Sequence, residues 1–367
     1  MNLSCRLIVL SFAVTVSLGA QCVIDEVESR PASAFVTAAV SADFDHDGTT
    51  DLVLGGQQAL FQRGVPGGGF ENPKSIGSAT PELLALADFN GDGNMDVVGG
   101  GGAHVWIELG DGKGGFTEKS ATTYAAIHRM RRMVTGRFSG PGSNADVLVF
   151  DDTDAAVLLF KGHGDGTFDT PVRLDVAAGA TGERVSVADL DGDGNDDVVL
   201  TEFPDVTAVT VLRNKGDGTF EKKFVAQGTH DHQLSVADVD RDGINDFIVL
   251  NGSNLDIIRG LGSLSYAAPV ALSLPYPVSE LAVGDVNADG LVDIDVNDPE
   301  GDRLAVAYGS GDGKFRFATS APASIALTPI VIGYTGTTPL IHGLSNSAST
   351  LTTWKTVCSR RRSARLH

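Results

Sequence analysis

The chain has 367 residues, of which 45 are glycine and 7% are aromatic, and its formal net charge at pH 7 is −20. Abundant glycine with few aromatic residues is typical of an all-β protein made of many short strands and tight turns. The negative charge argues against nucleic acid as a partner, because binding to a phosphate backbone requires a basic surface.

The first residues have the pattern of an export signal. Arg6 precedes the apolar run LIVLSFAVTVSL, and Ser17 and Gly19 place small residues at −3 and −1 of a cut after Gly19. The run is short for a membrane span. We therefore expect residues 1–19 to be a signal peptide and the protein to be a secreted monomer, extracellular or periplasmic. A lipoprotein is the alternative because Cys22 lies near the cut, although Gln21 stands where a small residue normally precedes a lipidated cysteine.

An aspartate-rich loop recurs five times between apolar, β-branched segments, and the clearest copy, Asp189 to Asp197, reads DLDGDGNDD. Side-chain oxygens at relative positions 1, 3, 5 and 9, with the backbone carbonyl of position 7, can converge on one hard cation if glycine at position 6 allows a sharp turn. This chemistry predicts calcium. The predicted ligands at positions 1, 3, 5, 7 and 9 are Asp43, Asp45, Asp47, Thr49 and Asp51; Asp88, Asn90, Asp92, Asn94 and Asp96; Asp189, Asp191, Asp193, Asn195 and Asp197; Asp238, Asp240, Asp242, Ile244 and Asp246; and Asp285, Asn287, Asp289, Leu291 and Asp293.

The loop is not an EF-hand. Leu200 occupies position 12, where an EF-hand needs glutamate, and the flanking segments VSVA and VVLT predict strands rather than helices. An Asp-Gly turn without metal is the alternative for any single copy. Five copies in register favour metal, because a plain turn requires neither three nor four converging acids.

A glycine-rich turn that ends in an aromatic residue also recurs. Its copies end at Phe70, Phe116, Phe168, Phe220, Tyr266 and Phe315. Between the second and third complete acid loops lies a degenerate copy, GRFSGPGSNAD. Arg137 replaces its first aspartate and Pro141 its third ligand, so we expect no metal there.

The C-terminal part contains another degenerate unit, with the segments TPIVIG, PLIHG and TLTTWK and with Tyr334 to Thr338 in place of the acid loop. Seven units of about 47 residues, each with four short strands, predict a seven-bladed β-propeller with calcium loops in five blades. The last unit lacks its own fourth strand. The segment from Cys22 to Glu28 is predicted to supply that strand.

The combination of a glycine-rich turn ending in Phe with a DxDxDGxxD loop resembles the FG-GAP (VCBS-type) repeats of integrin α-subunit headpieces and of many secreted bacterial proteins. The resemblance covers essentially the whole mature chain. It implies a seven-bladed propeller over residues 22–358, with calcium between the first and second strands of several blades. The residues after it, 359–367, form a basic C-terminal tail in the sequence. Function does not follow from the fold, because such propellers serve adhesion, lectin-like sugar binding and polysaccharide cleavage.

Two cysteines remain after removal of the leader, which would take Cys5 with it. Cys22 and Cys358 lie at opposite ends of the mature chain. An even count in an exported protein favours a disulfide. This bond would tie the N-terminal strand to the third strand of the last blade.

A ligand is expected on the face opposite the acid loops, which includes His128, Arg129, Arg131 and Arg132 and also His230 and His232. The basic HRMRR segment could bind a carboxylated sugar or an acidic protein loop, while a solvated strand connection is the alternative. His230, Asp231 and His232 with Glu202 or Asp205 could instead supply acid and base groups for polysaccharide cleavage. The preferred interpretation is a calcium-binding module for extracellular glycan or protein, with a lyase or hydrolase as the alternative.

Overall fold

We describe a computed structural model of the chain. It describes residues 21–31, 36–140, 142, 144–151, 153, 156–174, 184–202, 208–227, 233–274, 276–278, 280–298, 303–317, 321–322, 330–335, 338–345 and 350–359. Within these residues every regular element is a β-strand, as the composition predicts.

The strands, in chain order, are β1 (Gln21–Pro31), β2 (Val36–Ala42), β3 (Asp51–Gly56), β4 (Leu60–Gln62), β5 (Lys74–Ser75), β6 (Leu83–Ala87), β7 (Asp96–Gly101), β8 (His104–Gly110), β9 (Phe116–Thr123), β10 (Met130–Gly136), β11 (Asp146–Asp151), β12 (Ala156–Phe160), β13 (Val172–Leu174), β14 (Arg184–Ala188), β15 (Asp197–Glu202), β16 (Ala208–Asn214), β17 (Phe220–Gln227), β18 (Leu234–Ala237), β19 (Asp246–Asn251), β20 (Asn254–Ile258), β21 (Val270–Ser273), β22 (Glu280–Gly284), β23 (Asp293–Asp298), β24 (Arg303–Gly309), β25 (Phe315–Phe317), β26 (Ala321–Pro322), β27 (Ile330–Thr335), β28 (Thr338–Ser345) and β29 (Thr350–Ser359).

Six antiparallel sheets are each built from four consecutive strands. We call them blade 1 (β2–β5), blade 2 (β6–β9), blade 3 (β10–β13), blade 4 (β14–β17), blade 5 (β18–β21) and blade 6 (β22–β25, with β26 also paired to β24). The first strands of successive blades lie next to one another. The fold is therefore an all-β propeller with four-stranded blades.

A further four-stranded sheet, which we call the chain-end sheet, has the order β1-β29-β28-β27. Its strand β27 lies beside both β22 and β2, between blades 6 and 1. Its β1 pairs with β29 in a register that sets Cys22 opposite Cys358. The structure thus shows six blades of consecutive strands and not the predicted seven, because the remaining four-stranded sheet combines the N-terminal strand β1 with the C-terminal strands β27 to β29.

The second and third strands of the blades are buried on both faces because neighbouring blades cover each face. In β11 and β12 all of the residues are buried. Such strands consist of continuous rather than alternating apolar residues, as in VLVF and AVLLF. The hydrophobic core is accordingly divided into layers between blades, such as the one that joins Val98 of blade 2 to Val149 of blade 3.

Two details differ from the sequence-based expectation. In blades 1, 3 and 5 the aromatic residue that ends the glycine-rich turn forms only an isolated bridge, Gly64 with Phe70 being one example, and the fourth strand starts later. In the C-terminal unit, Tyr334 and Thr338 belong to β27 and β28, which are joined through residues 336–337 alone. This connection is too short to replace a nine-residue acid loop.

Candidate functional site

The acid loops connect the first and second strands of blades 1, 2, 4, 5 and 6, and the position-9 aspartate anchors each of them. In loop 1 (Asp43–Asp51), the Asp51 carboxylate accepts the backbone N–H of Phe44 at 2.9 Å and that of Gly64 at 2.7 Å. The same two bonds recur in the other four loops, from Phe89, Leu190, Val239 and Val286 at position 2 and from Gly110, Asn214, Gly260 and Gly309 at the end of the third strand. Position 9 therefore fixes the loop to the third strand of its own blade.

The position-9 carboxylates are buried. Burial raises the pKa of Asp51 and of Asp197 to about 6 and that of Asp293 to about 7, against the two backbone hydrogen bonds that lower it. A cation bound in the loop would oppose this rise, because a nearby positive charge favours the ionised form.

Positions 1 and 5 shape the turn. The position-1 carboxylate accepts the N–H of the position-6 glycine in all five loops, from Gly48 to Asp43 at 2.9 Å in loop 1. The position-5 carboxylate accepts the N–H of position 7, from Thr49 to Asp47 at 2.8 Å. Gly48 has φ of 82°, and a Cβ there would meet nothing within 4 Å. Glycine is therefore needed at position 6 for its backbone conformation and not for space.

The loops fit a hard cation. In loops 1, 4 and 5, oxygens of the carboxylates at positions 1, 3 and 9 all lie within 4.8 Å of one another. Loops 2 and 6 have asparagine at position 3, which offers a neutral oxygen instead. In loop 5, Asp240 Oδ1 is buried without a hydrogen-bond partner. An all-oxygen donor set with an unsatisfied carboxylate oxygen suits calcium better than a transition metal.

Three of the acid loops accept hydrogen bonds from an arginine that lies outside the loop and that the sequence analysis did not identify. Arg63, at the end of β4, donates to Asp45 and, at 3.0 Å, to Asp47 of loop 1. Arg213 and Arg259 occupy the same place in blades 4 and 5 and bond the position-3 aspartates Asp191 and Asp240. The signal was available in the sequence, because each of these arginines lies seven residues before the aromatic residue, Phe70, Phe220 or Tyr266, that ends the glycine-rich turn of its blade.

Among the described residues of the degenerate loop of blade 3, Asp146 keeps the anchoring role of position 9. Asp146 accepts the N–H groups of Phe138 and Gly162, as position 9 does elsewhere. Arg137, in place of the first aspartate, instead approaches Asp196 of loop 4 in blade 4, with its backbone N–H donating at 2.7 Å. An arginine thus stands where the other loops have an acid, and the lack of metal in this blade stays a prediction.

The glycine-rich turns of blades 2 to 6 each pack against the loop between the first and second strands of the blade before. Phe116 of blade 2 contacts Phe44 of loop 1, and Phe168 of blade 3 contacts Phe89 of loop 2 at a centroid distance of 5.5 Å. In the second pair, the Gly166 N–H also donates to the carbonyl of Phe89 at 3.0 Å. The loops and turns therefore lie at one end of the propeller, as predicted.

The basic segment lies at the opposite end of blade 3. His128 and Arg129 precede β10 and are exposed, whereas Arg131 and Arg132 belong to β10 itself and are half-buried. The backbone N–H groups of His128 and Arg129 donate to the buried Asp151 at 2.5 and 3.3 Å. Arg131 and Arg132 thus lie on the innermost strand of the blade, whereas His128 and Arg129 lie on the connection before it.

This strand leads into a central cavity of about 420 Å³. The cavity is lined by the first strands of blades 2 to 6, through Ala85, Met133, Val134, Thr135, Val185, Ser186, Val187, Ser235, Val236 and Val283. Its lining of aliphatic and hydroxyl side chains, with Met133, carries no charged side chain among the described residues. The charged groups of this region lie on the neighbouring segment 128–132.

Some of the predicted site residues cannot be placed. His230 and His232, with Asp231 and Asp205, lie outside the described residues, as do the side chains of Cys22, Cys358 and Glu202. Among the residues that are described, no helix is long and apolar enough to span a membrane.

Two segments, residues 143–200 and 238–296, match the model of the FG-GAP-like repeat. The chain therefore contains FG-GAP-like repeats, as the loop and turn motifs indicate. No curated protein matches the sequence.

Solved structures share the fold at low sequence identity. A lectin of Agrocybe aegerita, described as specific for non-reducing terminal N-acetylglucosamine, is 20% identical with a TM-score of 0.62, covering 89% of this chain and 85% of the lectin. BBS1N, solved in complex with ARL6DN, is 11% identical with a TM-score of 0.64, covering 93% of this chain and 98% of BBS1N. At these identities the likeness establishes the propeller fold alone, and the resemblance to integrin α headpieces is general.

Proposed function

We propose that this protein is a secreted, calcium-stabilised β-propeller that acts as a binding or adhesion module for an extracellular glycan or protein. The observation that carries the proposal is the convergence of carboxylate oxygens within 4.8 Å in loops 1, 4 and 5. Like charges so close together are unfavourable without a counter-charge. A propeller with this construction offers a rigid surface for binding, and a lectin is among the structures of the same fold.

Calcium would supply the positive charge that the converging carboxylates require. Positions 1, 3, 5 and 9, with the carbonyl of position 7, would hold it in each of the five loops. The position-9 aspartate would connect the ion to the third strand, because the same carboxylate accepts the N–H of Gly64 in blade 1. Binding to the folded state alone stabilises that state.

Chelation tests the metal part of the proposal. Treatment with EGTA should lower the melting temperature, calcium should restore it, and metal analysis should find close to five ions per chain. An unchanged melting curve in EGTA would refute calcium stabilisation. About two ions would show that some loops are turns without metal.

We also propose that the chain-end sheet is the seventh blade and that a disulfide closes it. The position of β27 beside β22 and β2 supports the first part, and the register of Cys22 with Cys358 supports the second. Non-reducing peptide mapping should find these cysteines linked, and reduction should expose the chain-end sheet to protease before the blades. Two free thiols, or lipid on Cys22, would contradict closure, and lipid would place the protein on a membrane.

The ligand surface is proposed to be segment 128–132 at the mouth of the central cavity. Arginine binds carboxylates with two parallel hydrogen bonds, which suits an acidic sugar or an acidic protein loop. A glycan array with and without calcium is the test of ligand class. A lectin would bind sugar without turnover, whereas released products would indicate a polysaccharide-cleaving enzyme.

A pair of charge-matched variants tests the surface itself. Arg131→Ser with Arg132→Ser should abolish binding in a protein that remains folded, with a moderate loss of melting temperature because both side chains are half-buried on β10. Lys222→Ser with Lys223→Ser removes the same charge from exposed positions of β17 and should leave binding intact. Equal binding by both double variants would refute segment 128–132 as the recognition surface.

A further inference from the structure

The five acid loops are of two kinds, and position 3 distinguishes them. Loops 1, 4 and 5 have aspartate at position 3, and the residue just before the strand-end N–H donor is Arg63, Arg213 or Arg259. Loops 2 and 6 have asparagine at position 3, and the corresponding residue is Leu109 or Tyr308. The arginine is therefore present in the loops with the additional carboxylate and absent from the others.

The contacts explain this pairing. Arg213 Nε donates to Asp191 Oδ2 at 2.6 Å, and Arg259 Nη1 donates to Asp240 Oδ2 at 3.2 Å. The aspartates are nearly buried, with side-chain exposures of 4% for Asp45, 10% for Asp191 and 11% for Asp240. In each case the arginine binds Oδ2 of the carboxylate and leaves Oδ1 for the interior of the loop.

The asparagine reproduces the same arrangement without charge. In loop 2, Asn90 Oδ1 accepts the N–H of Asp92 at 3.0 Å, as Asp45 Oδ1 accepts that of Asp47 at 3.2 Å in loop 1. Asn90 Nδ2 donates to Asp92 Oδ2 at 2.9 Å, where loop 1 has the Arg63 guanidinium on Asp47 Oδ2. The amide thus replaces both the inner oxygen of the aspartate and the N–H group of the arginine.

The ligand positions of the two kinds of loop carry equal charge when the strand residue is counted with them. Positions 1, 3, 5 and 9 with the strand residue comprise four carboxylates and one guanidinium in loops 1, 4 and 5, and three carboxylates alone in loops 2 and 6. Both combinations carry three net negative charges. Outside these positions loop 4 also has Asp196, whose carboxylate pairs with Arg137, and loop 5 has Arg241.

We propose that Arg63, Arg213 and Arg259 are affinity-setting residues, which give the Asp-type loops the same net charge as the Asn-type loops, so that all five bind calcium with similar affinity. The inference rests on the proposed calcium binding. Loss of the arginine would leave a fourth uncompensated carboxylate. The metal-free loop would then be less stable, and the attraction for a divalent cation would be stronger.

The chain itself provides the experiment, because loop 1 can be converted to the pattern of loop 2. Three variants are needed: Arg63→Leu, Asp45→Asn, and the two together, which reproduce Asn90 and Leu109. The melting temperature of each variant is measured in EGTA and again at increasing calcium concentrations. The converse pair in loop 2, Asn90→Asp with and without Leu109→Arg, serves as an independent repeat.

In EGTA, Arg63→Leu should melt about 2 °C or more below the wild type, and the double variant should melt close to the wild type. In the calcium titration, Arg63→Leu should show the largest rise in melting temperature and Asp45→Asn the smallest. A unit charge about 6 Å from a divalent ion changes affinity by roughly tenfold even when screened by water. The double variant should titrate like the wild type.

Two results would overturn the proposal. If the double variant is as unstable in EGTA as Arg63→Leu, the arginine acts by packing and not through the charge of Asp45. If Arg63→Leu titrates with calcium like the wild type, the arginine does not set affinity. Failure of the proposed calcium binding gives a different result, because calcium would then change the melting temperature of no variant. The melting temperatures in EGTA would still show whether Arg63 stabilises the protein by pairing with Asp45.

Discussion

The ring of Phe116, at the end of the glycine-rich turn of blade 2, packs edge-on against Phe44 in the acid loop of blade 1, with ring centroids 5.4 Å apart. Phe168 packs edge-on against Phe89 in the same way, and Phe220 contacts Phe138 with tilted rings whose centroids are 6.0 Å apart. The acid loop and the glycine-rich turn, which are the two repeated motifs of the sequence, therefore contact each other between neighbouring blades. This contact holds each acid loop against the next blade of the propeller.

Phe44→Ala should destabilise the protein by about 3–5 kcal/mol, because it removes a buried ring and leaves a cavity between two blades. Phe44 is 2% exposed, whereas Phe224 is 57% exposed and provides the control, for which Phe224→Ala should change stability by less than about 0.5 kcal/mol. Urea unfolding in excess calcium measures both. Similar losses in the two variants would contradict the closing role of the aromatic contact.

Glu108 should make stability depend on pH. Its carboxyl is buried, with Oε1 lacking a hydrogen-bond partner. Burial raises its pKa from 4.5 to about 7, and the negative charge of Glu118 adds to the rise. A carboxyl with a raised pKa stabilises the fold fully below its ordinary pKa, and this contribution is lost as the pH rises towards 7.

Glu108→Gln should therefore match the wild type near pH 4 and become more stable by about 3 kcal/mol at pH 8. Blade 1 already has Gln62 at the equivalent position. Denaturant unfolding across this pH range is the measurement, and Glu118→Gln, at the exposed neighbour, should give a much smaller gain. If the difference in stability between Glu108→Gln and the wild type does not grow with pH, Glu108 is not the group that makes stability depend on pH.

Asp295 is a second buried carboxylate, and the residues at the same position of the other blades indicate which side chain could replace it. It is fully buried with no hydrogen-bond partner for either oxygen. Burial raises its pKa well above the ordinary value. The equivalent residues of the other blades are aliphatic: Val53, Val98, Leu148, Val199 and Ile248.

Asp295→Val should raise the free energy of unfolding by about 1–3 kcal/mol at neutral pH, because burial of an unpaired carboxyl is unfavourable. Thermal melting in excess calcium checks this, with the isosteric Asp295→Asn as the control for charge alone. A loss of stability in the valine variant would show that the carboxylate has a role in the folded ring.

Ala288 occupies a left-handed backbone position. Its φ is 60°, and position 4 of every acid loop is left-handed, occupied by Gly91 and Gly192 in loops 2 and 4. Ala288→Gly should stabilise the protein by about 0.5–1 kcal/mol, because this conformation strains residues with a Cβ. Ala282→Gly, in the regular strand β22, should instead destabilise it. Urea unfolding that shows a loss for Ala288→Gly would contradict this.

The sequence was sufficient for the local chemistry. Asp189 to Asp197 shows acidic residues at fixed positions between apolar strands, and Phe220 marks a turn, so the repeat, the propeller class and the four-stranded blades could be predicted. These features are local because each follows from the conformation of a few consecutive residues. The left-handed conformation at position 4 of the acid loops was not predicted, since His46 and Arg241 occupy that position in loops 1 and 5 and their side chains do not indicate it.

Only the tertiary structure decided which residues meet across strands and blades. The pairing of Arg63 with Asp45, the contact of Phe116 with Phe44 and the union of β1 with β29 in one sheet each join residues that are distant in the chain. Sequence spacing does not encode such contacts, because they arise when four strands pair and the blades stack around a common axis. The sequence by itself therefore determined the repeating loop and the oxygen-bearing positions that predict a hard cation, and the folded ring determined the counter-charges and neighbours of each loop.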